Sequence, residues 1–338
     1  MAISYSPASS AIPRLTRVAV IGGGQNSEHA VSLASAASVE AALDPDVYEV
    51  QALTIDRDGF WLRPNGDPLA ATRARSLAAA AALLANCDVA FPAVHGPHGE
   101  DGSLAALFEL AGLPYVGAGV RGGALAMDKW ATKLVAADLG IRTAPGRLVD
   151  AAGRAGLRPE RFPVVVKPVS AGSSHGVGLV HRTEDLDRAL DEALAHDDRA
   201  LVEEFVVGRE VDIAVLERAD GSLLVGPSLE IVVEGAAEGA ALFGTAQKYD
   251  GSAEFRIPAA LADTEEKALQ EAAVALFTAL GCRAVARFDF FVTPEGPVLN
   301  EVNTMPGMTA ESQVPKMFAH IGLDYPALLD ELLRSALR

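Results

Sequence analysis

Arg287, Asp289, Glu301 and Asn303 lie within one stretch, Ala284 to Met308, AVARFDFFVTPEGPVLNEVNTMPGM. Two carboxylates and an amide oxygen are hard ligands of the kind Mg²⁺ takes, and Mg²⁺ sites keep positions open for phosphate oxygens. The spacing fits a β-hairpin. An alternating run from Val285 to Val292 meets the turn residues Thr293-Pro294-Glu295-Gly296-Pro297, and a second run follows from Val298 to Thr304. Period two puts Arg287 and Asp289 on one face with Phe288 and Phe290 on the other. It also puts Glu301 and Asn303 together, with Val298, Asn300 and Val302 opposite. A hairpin symmetric about Glu295 sets Asp289 across from Glu301 and Arg287 across from Asn303. Facing carboxylates repel, and a bound cation removes the conflict. The plainer alternative is a solvated strand face on which Arg287 neutralises both acids. The turn Asn303-Thr-Met-Pro-Gly-Met, whose backbone N–H groups can face an anion, favours a metal–phosphate site.

Several loops upstream could serve such a site. A short buried strand, Arg17 to Ile21, runs into Gly22-Gly23-Gly24-Gln25-Asn26-Ser27-Glu28-His29 and a helix expected to turn Val31, Leu33, Ala34 and Val39 inward. Strand, glycine turn and helix N-terminus make a ligand-facing site, although the dinucleotide pattern G-x-G-x-x-G is absent. Glu28 either answers the helix dipole or holds an ammonium group. A second strand spans Tyr48 to Ile55, and an Ala/Leu helix lies around 76–85. The loop His95-Gly-Pro-His98-Gly-Glu100-Asp101-Gly102 precedes a helix from Ser103 to Ala111. It reads as a binding loop of an open α/β sheet rather than a zinc site, since no further His or Cys is near.

A helix runs from Lys129 through Leu139. The strand Phe162 to Pro168 ends in Lys167 and leads into Val169-Ser-Ala-Gly172-Ser173-Ser174-His175-Gly176-Val177-Gly178. That loop is either a flexible hairpin turn or a flap whose N–H and hydroxyl groups wrap phosphate, with Lys167 countering the charge. It is not a P-loop. Strands follow at 201–206, 211–217 and 223–233, with a turn at Asp220-Gly221. The aperiodic loop 234–247 reads as a lid, and a helix at 264–280 buries Leu269, Ala272, Ala273, Leu276 and Leu280. A last helix lies near 325–336.

Composition narrows the class. The 338 residues allow two or three domains, and 50% are hydrophobic, which suits an α/β enzyme. A net charge of −17, from 28 basic and 45 acidic residues, argues against nucleic-acid or anionic-membrane partners. Two cysteines, Cys87 and Cys282, are too few for a disulfide framework and are expected in the core of a cytoplasmic protein. No apolar run approaches the ~20 residues of a membrane span. Residues 1–16 are expected to be a disordered tail rather than a signal peptide.

Seven segments in order, GGGQNSEHAVSL, HGPHGEDGSLAALFELAGLPYVG, MDK, VVVKPVSAGSSHGVG, EEFVVGRE, QKYDG and RFDFF with LNEVNTMPGMT, resemble the D-alanine–D-alanine ligase family of ATP-grasp enzymes. The resemblance covers Arg17 to Leu333. It implies a mixed α/β, three-domain ATP-grasp fold: a Rossmann-like open parallel sheet at 17–116, a central domain at 117–206 and a catalytic domain at 207–338. ATP is then held between the last two. On the family pattern Lys129, Lys167 and the Ser174 loop contact ATP phosphates, and Lys248 reaches the terminal phosphate. Glu203 and the Val206 backbone meet adenine, and Glu210 meets ribose. Asp289, Glu301 and Asn303 hold two Mg²⁺, with Mn²⁺ as a substitute. Glu28 binds the first D-alanine's ammonium within a set completed by Ser173 and Tyr249, and His95 lies near that substrate's carboxylate. Arg287 and the Gly307 N–H steady the oxyanion, while Ser312 and Gln313 hold the second substrate's carboxylate. The family also implies a homodimer with small-molecule partners only. Three departures stand out: His175 in place of a small apolar residue, Gln313 in place of an apolar one, and a lid reading LFGTAQKY. They leave a specialised ligase for D-lactate, D-serine or another acceptor as the alternative, with a non-catalytic nucleotide sensor as the reading from another class.

Overall fold

The computed structural model describes residues 14–233 and 253–338. Residues 1–13, the expected lid at 234–247, Lys248 and Tyr249 lie outside the described residues. Residues 14–16, expected in the tail, are ordered: Arg14 pairs with Asp88, and Thr16 opens the first strand.

The first layer is built from β1 (Thr16–Gly23), α1 (His29–Ala42), β2 (Tyr48–Ile55), β3 (Trp61–Leu62), α2 (Arg73–Leu84), β4 (Val89–Pro92) and α3 (Ser103–Ala111). Its sheet has the order β3-β2-β1-β4, with β2, β1 and β4 parallel and β3 a short antiparallel edge. The apolar runs of β1 and β4 are buried along most of their length, as a sheet covered on both faces requires. The glycine turn therefore leaves the carboxyl end of β1, where open parallel sheets bind ligands.

One expectation fails in α1. The helix buries Ser32, Ser35 and Val39 and leaves Leu33 and Ala34 exposed. The inward face is polar because it is hydrogen-bonded: Ser32 Oγ accepts from His95 N, and Ser35 Oγ bonds the His95 ring and accepts from Met308 N. The serines satisfy loop backbone that apolar side chains would have stranded.

The middle of the chain forms α4 (Val120–Met127), α5 (Lys129–Asp138), β5 (Arg142–Thr143), β6 (Gly146–Asp150), β7 (Val164–Pro168), β8 (Gly178–Val180), α6 (Leu186–Leu194) and β9 (Arg199–Glu204). An antiparallel sheet of order β6-β9-β7-β8 packs one face on α6. The stretch from α4 to β5 does not join that sheet, although 117–206 reads as one unit in the sequence. α4 and α5 pack on the third sheet, and β5 is its edge strand.

The third sheet is formed by β10 (Arg209–Glu217), β11 (Leu223–Val225), β12 (Leu229–Val233), β13 (Ala253–Arg256), β14 (Val285–Thr293) and β15 (Gly296–Asn303), with α7 (Asp263–Leu280), α8 (Gln313–His320) and α9 (Tyr325–Ala336). Its order is β13-β12-β10-β14-β15-β5. α7 buries Leu269, Ala272, Ala273, Leu276 and Leu280 against Ile213, Phe288 and Phe290, as its spacing predicts. Cys282 is buried in that core, whereas Cys87 is half-buried. A separate core joins β1 and β4 to α8 and α9 and contains Val20, Phe91, Met317, Phe318 and Leu332. The C-terminal helix thus returns to the first sheet, where Tyr48 Oη donates to Asp330 at 2.6 Å.

Leu276 is fully buried under the β10–β14 face of the third sheet. Leu276→Ala should destabilise the protein by about 2–5 kcal/mol, seen as a lower urea midpoint with little change in slope.

Candidate active site

β14 and β15 pair with Asp289 opposite Glu301 and Arg287 opposite Asn303, as hairpin symmetry suggested. The register then shifts at Asp289/Phe290, so that Phe290 faces Leu299 and the turn tightens to Thr293 opposite Gly296. One extra residue on β15 is a β-bulge, and it reverses the faces of everything beyond it. Leu299 and Val302, rather than Val298, Asn300 and Val302, therefore share the core with Phe288 and Phe290. Asn300 is re-aimed and its Oδ1 accepts from Lys167 Nζ at 3.2 Å.

The acids are not left facing each other unscreened. Arg287 donates from Nε and Nη2 to the two oxygens of Asp289, at 2.7 and 2.8 Å. Asn303 Nδ2 donates to Asp289 at 3.1 Å, and Lys129 Nζ lies 3.6 Å from Glu301. Burial works against the Arg287 charge, but Asp289 and Asp212 hold its pKa well above the usual arginine value. Among the described residues no three His, Cys, Asp or Glu side chains are grouped to hold a metal. Two carboxylates and one amide on a shared strand face nevertheless fit a hard cation whose shell is completed by phosphate oxygens. Among the described residues Asp212, Asp289 and Glu301 stand against Arg287 and Lys129, one acid more than the bases, in a largely buried place.

Facing the hairpin, the central sheet presents a second cluster. Glu203, on β9, is buried and bonded to Lys167 at 2.7 Å and Lys133 at 2.6 Å. Burial raises its pKa, yet the two lysines outweigh that and keep the carboxyl below its ordinary range. Lys133 escaped the sequence reading. The available signal was its place four residues after Lys129, on the same helix face. Lys129 itself donates to Ala171 O at 2.7 Å, tying the serine loop to the hairpin. Val206 follows β9, and Glu210 lies on β10.

In the serine loop Ser173, Ser174 and Gly176 all have positive φ, at 50°, 58° and 71°. Two successive non-glycine residues in this region are strained and mark functional loops. Ser173 Oγ donates to Glu28 Oε1. Glu28 makes no side-chain cap on α1, so its carboxylate does not serve the helix end. It lies instead against Gly96 and Gly172, where an added Cβ would come within 2.4 and 2.6 Å of Oε2. Glu28, Glu100, Lys129, Gly172, Glu301 and Asn303 line one small cavity.

His95 is buried with both ring nitrogens engaged. Nδ1–H donates to Met305 O at 2.7 Å, and Nε2 pairs with Ser35 Oγ at 2.8 Å. Burial lowers its pKa, and the Met305 carbonyl, which can only accept, sets the tautomer with the proton on Nδ1. Glu100, which the sequence did not single out from its acidic neighbour, accepts from Gly96 N at 2.7 Å and Met305 N at 2.9 Å. The two side chains clasp Met305 by its carbonyl and its N–H, and so set the loop that carries Gly307. Ser312 Oγ accepts from Thr309 N at 3.1 Å, and Gln313 opens α8. Lys248 and Tyr249 belong to the undescribed stretch.

Burial and the nearby Glu28 charge push the Glu100 carboxyl from 4.5 up to about 8. Between those values folding takes up a proton, so the stability it contributes is complete below pH 4.5 and lost as pH rises towards 8. The unfolding free energy of the parent should therefore fall by up to about 1.4 kcal/mol per pH unit relative to Glu100→Gln. Paired urea titrations between pH 5 and 8 measure this; parallel pH profiles would rule it out.

The chain matches known proteins along nearly its whole length. The profile of the D-ala D-ala ligase N-terminus matches residues 17–118, and that of the D-ala D-ala ligase C-terminus matches residues 154–334. The D-alanine–D-alanine ligase of Rhodococcus jostii is 41% identical, over 95% of this chain and 97% of its own. That of Mycolicibacterium smegmatis is 41% identical over 96% of each chain. Among solved structures, the VanG D-Ala:D-Ser ligase from Enterococcus faecalis has a TM-score of 0.78 at 31% identity, covering 96% of this chain and 100% of that one. The D-alanine–D-alanine ligase from Bacillus anthracis complexed with ATP has a TM-score of 0.77 at 27% identity, covering 96% and 98%. With its N-terminal parallel sheet, its two antiparallel-rich sheets and a hairpin bearing Arg287, Asp289, Glu301 and Asn303, the chain belongs to the D-alanine–D-alanine ligase family and has its ATP-grasp fold.

Proposed function

We propose that this chain joins two D-alanines into D-alanyl-D-alanine at the expense of ATP, for peptidoglycan precursors, through an acyl phosphate. The observation that carries the reading is the hairpin register, which puts Arg287, Asp289, Glu301 and Asn303 on one face beside Lys129 and Lys167. A carboxylate is a poor electrophile. It must first take the γ-phosphoryl group of ATP, after which the amine of the second amino acid displaces phosphate through a tetrahedral intermediate. Both steps build negative charge on oxygen, which positioned cations and N–H donors stabilise without a covalent nucleophile.

Each group then has a task. Lys129, Lys167 and the Ser174 loop hold the nucleotide phosphates, while Glu203, the Val206 backbone and Glu210 hold adenosine. Glu28 and Ser173 receive the ammonium of the first D-alanine. Arg287 and the Gly307 N–H receive the oxyanion, and the Ser312–Gln313 start of α8 receives the second carboxylate. His95 acts through Met305, fixing the backbone beside the first substrate. Asp289, Glu301 and Asn303 would hold Mg²⁺, which supplies charge neutralisation on the transferring phosphoryl group. The serine loop over Glu28 excludes water that would hydrolyse the acyl phosphate. The family resemblance supports a cytoplasmic homodimer, and no helix among the described residues is long and apolar enough to cross a membrane.

The specialised reading rests on Gln313, a polar side chain at the acceptor end of the site, and on the D-Ala:D-Ser ligase among the structural neighbours. An amino-acid panel with ATP and Mg²⁺ separates the two. D-alanine alone should give ADP, phosphate and a dipeptide of the expected mass, and L-alanine almost none. An acceptor outrunning D-alanine by a wide margin would favour the specialised ligase, and no phosphate release with any amino acid would favour the sensor.

Glu301→Gln should lower kcat at least about a hundredfold, as for loss of a group that stabilises transferring charge. Its apo melting temperature should stay within about 4 °C of the parent, because the lost contact with Lys129 is offset by relief from Asp289. A much lower melting point would make Glu301 a structural residue instead.

A further inference from the structure

Asp212 has no role in the assignments above. It lies in the middle of β10, with 1% of its surface exposed, directly across from Asp289. Two buried carboxylates in direct cross-strand register oppose each other. Among the described residues Arg287 stands beside both. Its Nε is 2.7 Å from Asp289 Oδ1 and 3.4 Å from Asp212 Oδ2. One Nε–H thus stands between two acceptors and favours the nearer.

This creates a conflict at the proposed metal site. Asp289 gives one oxygen to Arg287 Nε and the other to both Arg287 Nη2 and Asn303 Nδ2. Both lone-pair sites of Oδ2 and one of Oδ1 are thus engaged, so Asp289 can turn both oxygens to a metal only by giving up part of this hold. Releasing Arg287, however, would strand a guanidinium that is largely buried, which is strongly unfavourable without another anion. Asp212 Oδ2 is that anion, already within a short shift of Nε.

We propose that Asp212 is a positioning residue that takes over Arg287 when Asp289 turns to a divalent cation, keeping the guanidinium charged and aimed at the reacting carboxyl oxygen. The inference rests on the ligase reading for its catalytic half only. The handover itself concerns nucleotide and metal binding, and can be measured whether or not the amino acids have been identified correctly.

The test compares ADP affinity with and without Mg²⁺ by calorimetry in four proteins: the parent, Asp212→Asn, Arg287→Gln and the double variant. Asp212→Asn should leave metal-free ADP binding within about threefold of the parent. It should cut the gain given by Mg²⁺ by about tenfold or more, the scale of one hydrogen bond to a charged group. Asp289 then has no substitute at Arg287. In the Arg287→Gln background no guanidinium needs rehousing, so the same substitution should change that gain by less than about threefold. Equal losses in both backgrounds would mean that Asp212 acts only as bulk negative charge, and would overturn the handover. An unchanged gain in Asp212→Asn, or no Mg²⁺ gain in the parent, would do the same. With D-alanine, Asp212→Asn should also lower kcat at saturating Mg²⁺ by about 10- to 100-fold, with the KM for ATP nearly unchanged. Asp212→Ser replaces the Asn variant in every comparison should the latter not fold. A parent that binds Mg²⁺–ADP but ligates no amino acid would sink the ligase reading and leave the handover to be judged on binding alone.

Discussion

The largely buried guanidinium of Arg287 is the interaction on which the site depends. Bare, it would be ruinously desolvated, so the sheet surrounds it with Asp289, Asp212 and Glu301. Those acids in turn could not sit on adjacent strands without it. The consequence is mutual: the hairpin keeps its register because the charges pair, and the charges pair because the register puts them side by side. An apolar replacement would pack as well but would offer neither the carboxylates nor the guanidinium that the proposed chemistry uses.

The second constraint is that the site's parts come from opposite ends of the chain. Glu28 and the 95–102 loop follow strands of the first sheet, while Met305, Gly307 and Ser312 follow the hairpin. Shared apolar packing between β1, β4, α8 and α9 brings them together without specifying angles. Angle is set by polar contacts: Glu100 on the Met305 N–H, His95 on its carbonyl, and Ser35 on the Met308 N–H. Burial makes each of them costly to leave unmade, which turns a loose docking into a fixed one.

The elements with clean periodicity were legible in the sequence. β2 and α9 have the expected bounds, α7 has the expected inner face, and the Asp289–Glu301 pairing follows from simple symmetry about Glu295. Local pattern failed where tertiary hydrogen bonds decided. The serines of α1 turn inward to serve a loop 60 residues away, and no helical wheel holds that information. The bulge at Asp289/Phe290 left no glycine or proline to mark it, so Asn300 was assigned to the wrong face. α8 went unread because it is short and carries Pro315 in its first turn, where proline is tolerated but interrupts the visible pattern. Asp212 did leave a trace. An acid between Val211 and Ile213, within the otherwise apolar run 211–216, is a buried charge in waiting, and buried charges mark function more often than exposed ones.

Charge is also distributed along the cleft in a way that fits an anionic substrate. At the central sheet Lys133, Glu203 and Lys167 sum to one positive charge, and at the hairpin the three acids with Arg287 and Lys129 sum to one negative. Lys167 reaches Asn300, and Lys129 reaches both Glu301 and the serine loop, so the two ends are in contact. A polyphosphate entering between them meets lysines first. It can draw Lys129 and Lys167 towards itself, which loosens their hold on Glu301 and Glu203 and leaves the hairpin acids more negative than before. Anion binding thereby raises the site's affinity for cations, and a protein carrying a net charge of −17 can hold ATP because its local field reverses over a few side chains.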